Sequence, residues 1–232
     1  MKVHHIIVAG GTGSRYNSDT PKQLCDLDGR PVLMHTVDSL LEACPGDVTV
    51  AMHPDYIGQW HELCRRHGFT SPEVVEGGAT RWHSVKNALD AVPADIDIIT
   101  VHDAARPFVS PTMLKEAIAA VTVGAAGAVP AVPVTDSLRE IADDGSSAAV
   151  ERARYRAVQT PQVFSADILR KAYSRPYRPE FTDDASVVEA AGFRPIALVG
   201  GSPFNIKITH PADMEIASIY RRILNDGTPA KD

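Results

Sequence analysis

The sequence is poor in cysteine, in aromatic residues and in positive charge. Its three cysteines, Cys25, Cys44 and Cys64, are odd in number, far apart and without a CxxC pair. That pattern excludes a disulfide framework and a zinc ribbon, and a reducing cytoplasm is the expected home. Aromatics make up 6% of residues, too few for a platform that stacks single-stranded bases. Lysine and arginine number 23 against 29 acidic residues, a net charge of −6, so the basic footprint of a nucleic-acid binder is missing. A phosphorylated small molecule is a different matter, because it needs only a few local cations. No run is apolar enough for a membrane helix; the strongest, residues 117–134, is interrupted by glycine and proline. Residues 1–11 carry one lysine and two histidines and lack the apolar core of a secretory signal, so none is expected. The nine histidines include no HExxH pair, and no GxSxG elbow occurs. A zincin-type metal site and a serine hydrolase of that kind are therefore excluded.

What is present is ordinary globular material: 232 residues, 44% hydrophobic and 22% charged. At about 150 residues per domain the length corresponds to roughly one and a half, which fits one domain over residues 1–232 with an excursion. Short β-type runs alternate with segments of helical period. Residues 3–9 read as a buried strand, and further strands are expected at 47–52, 73–75, 95–102, 127–134 and 195–199. Helices are expected over 31–44, 56–67, 79–91, 111–120, 165–173, 184–191 and 211–224. In the first, Val32, Leu33, Val37, Leu40 and Leu41 recur at helical spacing behind Pro31, which suits a first turn. Such alternation predicts an α/β fold, a Rossmann-like, mostly parallel twisted sheet with helices on both faces. Ligands in these folds sit at the carboxyl ends of the strands. The informative loops are then those that follow residues 9, 75, 102 and 134.

Residues 135–156 break the rhythm. Arg139, Arg152, Arg154 and Arg156 surround a centre of Asp143, Asp144, Gly145 and two serines. Turn residues between short β-capable stretches predict a projecting hairpin arm. An arm of that length either packs on a second subunit or lies solvated on the surface. Further on, residues 205–209 read as a β-type segment with Ile206 and Ile208 on one face and Lys207 on the other.

The first βα loop reads Ala9-Gly10-Gly11-Thr12-Gly13-Ser14-Arg15, followed by Pro21-Lys22-Gln23. Glycines let backbone N–H groups approach an anion and cradle phosphate oxygens. The GxxxxGK[ST] pattern is absent, and GxGxxG fails because Arg15 and Tyr16 stand where its last glycine belongs. What remains is a glycine loop with two cations, Arg15 and Lys22, within reach of a triphosphate.

These two segments resemble the signature of the sugar-phosphate nucleotidyltransferases, and the Pro-Lys-Gln ending resembles their cytidylyltransferase branch. Six more motifs narrow the resemblance. They are Gly77-Gly78-Ala79-Thr80-Arg81 with Ser84-Val85, Val101-His102-Asp103-Ala104-Ala105-Arg106-Pro107, Pro133-Val134-Thr135-Asp136-Ser137, Gln159-Thr160-Pro161-Gln162, Thr182-Asp183-Asp184-Ala185 and Asn205-Ile206-Lys207-Ile208-Thr209. Their order and spacing resemble the 2-C-methyl-D-erythritol 4-phosphate cytidylyltransferase family of the non-mevalonate isoprenoid pathway, over nearly the whole chain. Two departures are that the family more often has Ala-Ala-Gly at 9–11 and often threonine at 137. The sister family acting on ribitol 5-phosphate is the alternative, against which Asp103-Ala104-Ala105-Arg106 has the methylerythritol form.

The resemblance implies a reaction between CTP and a sugar-alcohol phosphate, with magnesium and a homodimer in which the arm reaches the neighbouring site. It implies phosphate-contacting catalytic roles for Arg15, Lys22 and Lys207. It implies CTP binding by Ala9, Gly10, Gly11, Thr12, Gly13, Ser14, Gly78, Ser84 and Ala104. The acceptor would meet Asp103, Arg106, Ser137, Arg152, Thr160 and Thr182, with Asp103 also near the magnesium. Taken on their own, Asp103 and Thr182 equally suit turn or helix caps, Ser84 suits an ordinary helical serine and Lys207 a solvated lysine. A non-catalytic nucleotide-binding domain is the rival from another class, but it has no use for the acceptor set Asp103, Arg106, Arg152 and Lys207.

Overall fold

The computed structural model describes residues 1–11 and 20–226. The chain opens with β1 (Val3–Ala9), then a 3-10 turn (Lys22–Leu24) and a ribbon of β2 (Asp26–Leu27) and β3 (Arg30–Pro31) lead into α1 (Val32–Ala43). A strand–helix rhythm follows: β4 (Asp47–Met52), α2 (Pro54–His67), β5 (Glu73–Glu76), α3 (Arg81–Ala91), β6 (Ile98–Asp103), α4 (Pro111–Thr122) and β7 (Gly127–Pro133). The remainder comprises β8 (Arg139–Ile141), β9 (Ser147–Ala149), β10 (Arg156–Val158), β11 (Gln162–Ser165), α5 (Ala166–Tyr173), α6 (Asp184–Ala190), β12 (Ile196–Gly200) and α7 (Ala212–Asn225).

Local chemistry starts and stops these helices. Pro54 and Pro111 occupy first turns, where no amide donor is required. The side chains of Thr80, Ser110 and Asp183 accept backbone N–H groups at the starts of α3, α4 and α6. Gly68 ends α2 with φ of +59°, a left-handed conformation that glycine adopts without a Cβ penalty.

The main sheet runs β5-β4-β1-β6-β11-β7, with β10 also paired with β7 on the β11 side and β12 paired along its other side. Strands β1, β4, β5 and β6 pair in parallel, as do β7 and β12. Only β10 and β11 oppose them. The expected mostly parallel α/β sheet is present, with one antiparallel strand near its centre. That strand, β11, was not expected: four residues after a proline offer too short a run for any period to register.

Successive strand residues enter opposite layers. Ile7 and Val50 pack with Leu33, Met34, Trp60 and Leu114 of α1, α2 and α4. Ile6, Ala51 and Ile99 pack with Val85, Leu169 and Val188 of α3, α5 and α6. Both faces are covered, which is why these strands read as continuous apolar runs rather than alternating ones. The arm forms the expected hairpin, β8 pairing with β9, and every residue of the two strands is exposed. Residues 205–209 correct the β-type expectation. They form no strand and are held by Ile208 N–H donating to the Ala105 carbonyl at 2.9 Å and by Ile206 and Ile208 packing near Leu27 and Val32. No helix among the described residues is long and apolar enough to cross a membrane.

The register explains the site's location. Ala9 stands opposite Met52, and Val8 opposite Asp103, so β1, β4 and β6 end together at one carboxyl edge. Histidines lie inside this sheet as hydrogen-bonded core residues: His5 Nδ1 is 2.8 Å from Thr100 Oγ1, and Nε2 is 2.8 Å from the Cys44 carbonyl. Burial pulls the pKa of His5 and His102 down to about 4. An unfolded histidine titrates near about 6.5, so between those values the unfolded chain binds more protons and the native state weakens as pH falls. Urea midpoints should be flat above about pH 6.5 and fall towards about pH 4.5, with a shallower fall in His5→Asn, which should itself be less stable at neutral pH.

Candidate active site

Segments from across the chain meet at the carboxyl edge of β1 and β6 around a cleft of about 480 Å³. It is lined by Ala9, Gly10 and Gly11 after β1, by Lys22 and Gln23, by Gly78, Arg81 and Ser84 at the start of α3, by Asp103 and Ala104 at the end of β6, and by Lys207. A similar hollow between α1 and α4 is lined mainly by apolar groups, including Ala43, Pro45, Ile118 and Val123, with Lys115 its charged side chain. It lacks the convergent polar groups that orient a nucleotide.

Glycine shapes the crevice beside α3. A Cβ on Gly10 would stand 2.7 Å from Ser84 Oγ, and one on Gly78 would collide with His83 at 2.3 Å. Ser84 is buried at the helix start; its hydroxyl accepts from Gly78 N–H and donates to the Thr80 carbonyl, both at 3.1 Å. Gln23, just after Lys22, donates its amide to the Ala9 carbonyl at 2.9 Å and the Gly11 carbonyl at 3.4 Å. The carbonyls at the start of the glycine loop are thereby turned towards the protein.

Asp103 is the electrostatic centre. Its Oδ2 lies 2.9 Å from Lys207 Nζ and 3.4 Å from Arg106 Nε, and its Oδ1 lies 3.6 Å from Arg81 Nε. Burial by itself would raise the pKa of Asp103; Arg81, Lys207 and Arg106 outweigh it and hold the carboxyl well below the usual carboxylate range. Asp103 therefore faces three cations, one of which, Arg81, also pairs with buried Asp184, and Lys22 lines the same cleft. The net potential of the cleft favours a polyanion although the chain as a whole is acidic.

Each cation is held by a different part of the chain. Arg81 makes a two-pronged pair with buried Asp184, at 3.0 and 2.7 Å, and Tyr173 OH donates to Asp184 at 2.6 Å. Burial would lower the Arg81 pKa, but Asp184 and Asp103 raise it instead, so its charge is permanent. Arg106 donates to the Asn205 carbonyl at 2.8 Å, and Asn205 donates to the Thr160 carbonyl at 2.8 Å. Gln159 exchanges two hydrogen bonds with the Ser202 backbone, and Gln162 holds both Asp183 and the Ala185 N–H. The Gln-Thr-Pro-Gln stretch thus ties the segments bearing Lys207 and Asp184 to the sheet.

Of the expected site residues, Ala9, Gly10, Gly11, Lys22, Gly78, Ser84, Asp103, Ala104 and Lys207 line one cleft, with Arg106 against Asp103. Thr12, Gly13, Ser14 and Arg15 lie outside the described residues. Thr160 does not line the cleft: its hydroxyl is buried and engaged by the Asp103 N–H at 3.1 Å and His102 Nδ1 at 2.9 Å. Thr182 is exposed just ahead of α6, whose cap is Asp183, and it does not line the cleft. Ser137 and Arg152 lie at the base of the arm, where Arg152 donates to the Thr135 carbonyl, and neither lines the cleft of its own chain.

Arg81 and Gln23 are site residues that the sequence reading did not single out, although both sit inside the quoted motifs. Their signal was a polar side chain beside a glycine loop. Magnesium at Asp103 is a poor fit, because both carboxylate oxygens already face cations that would repel a divalent ion. Among the described residues, no group of three or more His, Cys, Asp or Glu is placed to hold a metal.

Asp184→Asn leaves Arg81 without its buried countercharge. Urea melts at neutral pH should show a loss of about 3 kcal/mol, the lower end for a broken buried pair because the Arg81 side chain is 30% exposed. Tyr173→Phe, which removes one hydrogen bond, should cost about 1 kcal/mol.

Known proteins resemble this chain over most of its length. The family model described as 2-C-methyl-D-erythritol 4-phosphate cytidylyltransferase matches residues 3–222. The enzyme of that name from Porphyromonas gingivalis (strain ATCC 33277) is 44% identical over 220 residues, 94% of this chain and 97% of that protein. The crystal structure of 2-C-methyl-D-erythritol 4-phosphate cytidylyltransferase from Thermus thermophilus superposes with a TM-score of 0.75 at 34% identity, covering 96% of this chain and 100% of that one. The Francisella tularensis protein of the same name superposes with a TM-score of 0.78 at 28% identity, covering 95% and 100%. A match of this extent, carried by a cleft built from the motifs themselves, means that the chain belongs to the 2-C-methyl-D-erythritol 4-phosphate cytidylyltransferase family.

Proposed function

We propose that this chain joins CTP to 2-C-methyl-D-erythritol 4-phosphate, giving 4-diphosphocytidyl-2-C-methyl-D-erythritol and pyrophosphate. The observation that carries this reading is the cluster of Asp103 with Arg81, Arg106 and Lys207 beside the glycine crevice. It supplies a surplus of cations for two phosphorylated substrates and one carboxylate for an acceptor's hydroxyl groups.

In the reaction an acceptor phosphate oxygen bonds to the α-phosphorus of CTP while the bond to the bridging oxygen of the β-phosphate breaks. Pyrophosphate leaves with that electron pair. The nucleophile is an anion already, so no base need remove a proton. The difficulty is to bring two polyanions together and to stabilise charge on the oxygens of the five-coordinate centre. Lys22 and Lys207, both lining the cleft, are suited to that charge, with Arg15 assigned to the triphosphate by resemblance. The crevice of Ala9, Gly10, Gly78, Ser84 and Ala104 suits cytosine: backbone groups read the edge of a pyrimidine, and the narrow walls exclude a purine. Asp103 and Arg106 hold the acceptor. Magnesium, generally expected of this family, has no fitting carboxylate in Asp103, and every step above rests on the protein's own cations.

The arm completes the reading. Ile141 is 67% exposed on the arm, and Tyr155 and Val158, 47% and 42% exposed, follow at its base, an apolar surface that a second subunit would cover. A homodimer in which Ser137 and Arg152 enter the partner's acceptor site accounts for their distance from the cleft of their own chain. Within that scheme residues 1–232 act as one domain, with the arm at about 135–156 as a clasp, working in the cytoplasm.

Pyrophosphate release from CTP with each acceptor tests the assignment. Methylerythritol phosphate should be turned over far faster than ribitol 5-phosphate; the reverse ranking would move the chain to the sister activity, and release with neither would leave a binding domain. Lys22→Ala should lower turnover about a hundredfold, the scale of losing one transition-state donor, and near-normal turnover would remove Lys22 from this role. Arg152→Ala should raise the acceptor KM much more than the CTP KM. An equal rise in both would count against placing the arm at the acceptor end.

A further inference from the structure

His102 is fully buried immediately before Asp103 on β6. Its Nε2 lies 3.0 Å from the Arg106 carbonyl, and its Nδ1 lies 2.9 Å from Thr160 Oγ1. The same hydroxyl lies 3.1 Å from the Asp103 N–H. Elementary valence sets the direction of every bond. A carbonyl oxygen only accepts, so Nε2 carries the proton and donates it. The ring is neutral, because burial opposes the charged form, so Nδ1 is bare and accepts. The single proton of the Thr160 hydroxyl goes to that nitrogen, which turns an oxygen lone pair towards the Asp103 N–H.

The chain from Arg106 through His102 and Thr160 to Asp103 therefore closes on itself. It grips the backbone of Asp103 at one end and of Arg106 at the other, the two residues whose side chains pair at 3.4 Å in the cleft. Arg106 N–H also donates to the Asp103 carbonyl at 3.1 Å, so the turn between them has little freedom left. We propose that His102 is a positioning residue: its imidazole, acting through the Thr160 hydroxyl and the Arg106 carbonyl, sets where the Asp103 carboxylate and the Arg106 guanidinium stand. This rests on the reading of Asp103 and Arg106 as the acceptor-holding pair. It predicts that disturbing His102 is felt at the acceptor and much less at CTP, whose pocket takes only Ala104 from this turn and the rest from Ala9, Gly10, Gly78 and Ser84.

His102→Phe keeps an aromatic ring of similar bulk and removes both hydrogen bonds; His102→Asn restores an acceptor near the Nδ1 position. Thr160→Val removes the hydroxyl and Thr160→Ser keeps it. In steady-state assays of the full chain, His102→Phe and Thr160→Val should each lower kcat/KM for the acceptor by about tenfold to a hundredfold, with the CTP KM within about twofold. His102→Asn and Thr160→Ser should recover most of the loss. Nitrogen-15 spectra of the unsubstituted protein near neutral pH should show His102 with its proton on Nε2 and Nδ1 bare.

Unchanged acceptor kinetics in folded His102→Phe, or equal losses for CTP and acceptor, would overturn the proposal and leave His102 as core filling. Where the Phe and Val variants do not fold, the tautomer and Thr160→Ser decide: a proton on Nδ1, or acceptor kinetics as poor as those of a hydroxyl-free residue in folded Thr160→Ser, overturns it. Asp103→Asn separates the two levels. If it leaves acceptor kinetics unaltered, the reading of the site fails; if it impairs them while His102→Phe does not, only the positioning role fails.

Discussion

A single carboxylate, Asp103, draws three cations from distant parts of the chain to the end of β6, and the functional architecture is arranged around that fact. Arg81 comes from the first turn of α3, Arg106 from the turn after β6, and Lys207 from the extended segment ahead of α7. Grouping three cations around one buried anion is not a route to stability, because desolvation of the charges offsets much of their attraction. An unbalanced cluster is intelligible if its surplus charge belongs to a ligand. Each cation accordingly has its own anchor away from Asp103: Asp184 for Arg81, the Asn205 carbonyl for Arg106, and the packed Ile206 and Ile208 for the segment bearing Lys207.

These anchors depend in turn on the sheet. Strands β1, β4 and β6 end in register because their residues pair in parallel and each face is buried by helices, which fixes their pleat and prevents a one-residue slip. Antiparallel β11, inserted beside β6, then carries the chain back so that Gln159, Thr160 and Gln162 reach the same edge. From there they hold Ser202, Asn205, Asp103 and Asp183. The motifs that look like separate signatures along the chain are two layers of one object. Gly10, Gly11, Asp103, Arg81 and Lys207 line the cleft; the Gln-Thr-Pro-Gln and Thr-Asp-Asp-Ala stretches are the scaffold behind it.

That division shows what was legible in advance and what was not. The helices of the strand–helix rhythm could be read because an apolar stripe repeats with the helical period and because Pro31, Pro111 and Gly68 mark ends, whereas the start of α2 at Pro54 was placed two residues late. Strand β11 escaped because four residues buried on both faces show no period at all. Residues 205–209 alternate like a strand in sequence yet form none, since alternation reports which side chains are buried and not what the backbone bonds to. Lys207 was correctly placed opposite two isoleucines, while the partner of its ammonium group could not be inferred. Thr160 was placed at the acceptor, although its one hydroxyl proton is already committed to a buried imidazole. Arg81 went unnoticed because its importance lies in Asp184, which is 103 positions away.

By itself the sequence determined the class of chemistry and the layer each residue would occupy. A net charge of −6 with few aromatics excluded nucleic acid, glycines followed by cations pointed to phosphates, and apolar periodicity assigned a covered parallel sheet. These follow from composition and short-range order, which the chain carries whether folded or not. Tertiary structure alone decided which hydrogen-bonding groups are already satisfied and which charges face the cleft. A hydroxyl, an imidazole or a guanidinium has a fixed number of protons and lone pairs, and how they are used depends on which groups folding brings within about 3 Å. Asp103 met Thr160 across 57 positions, and His102 met it across 58. Contacts at that separation belong to the folded chain alone.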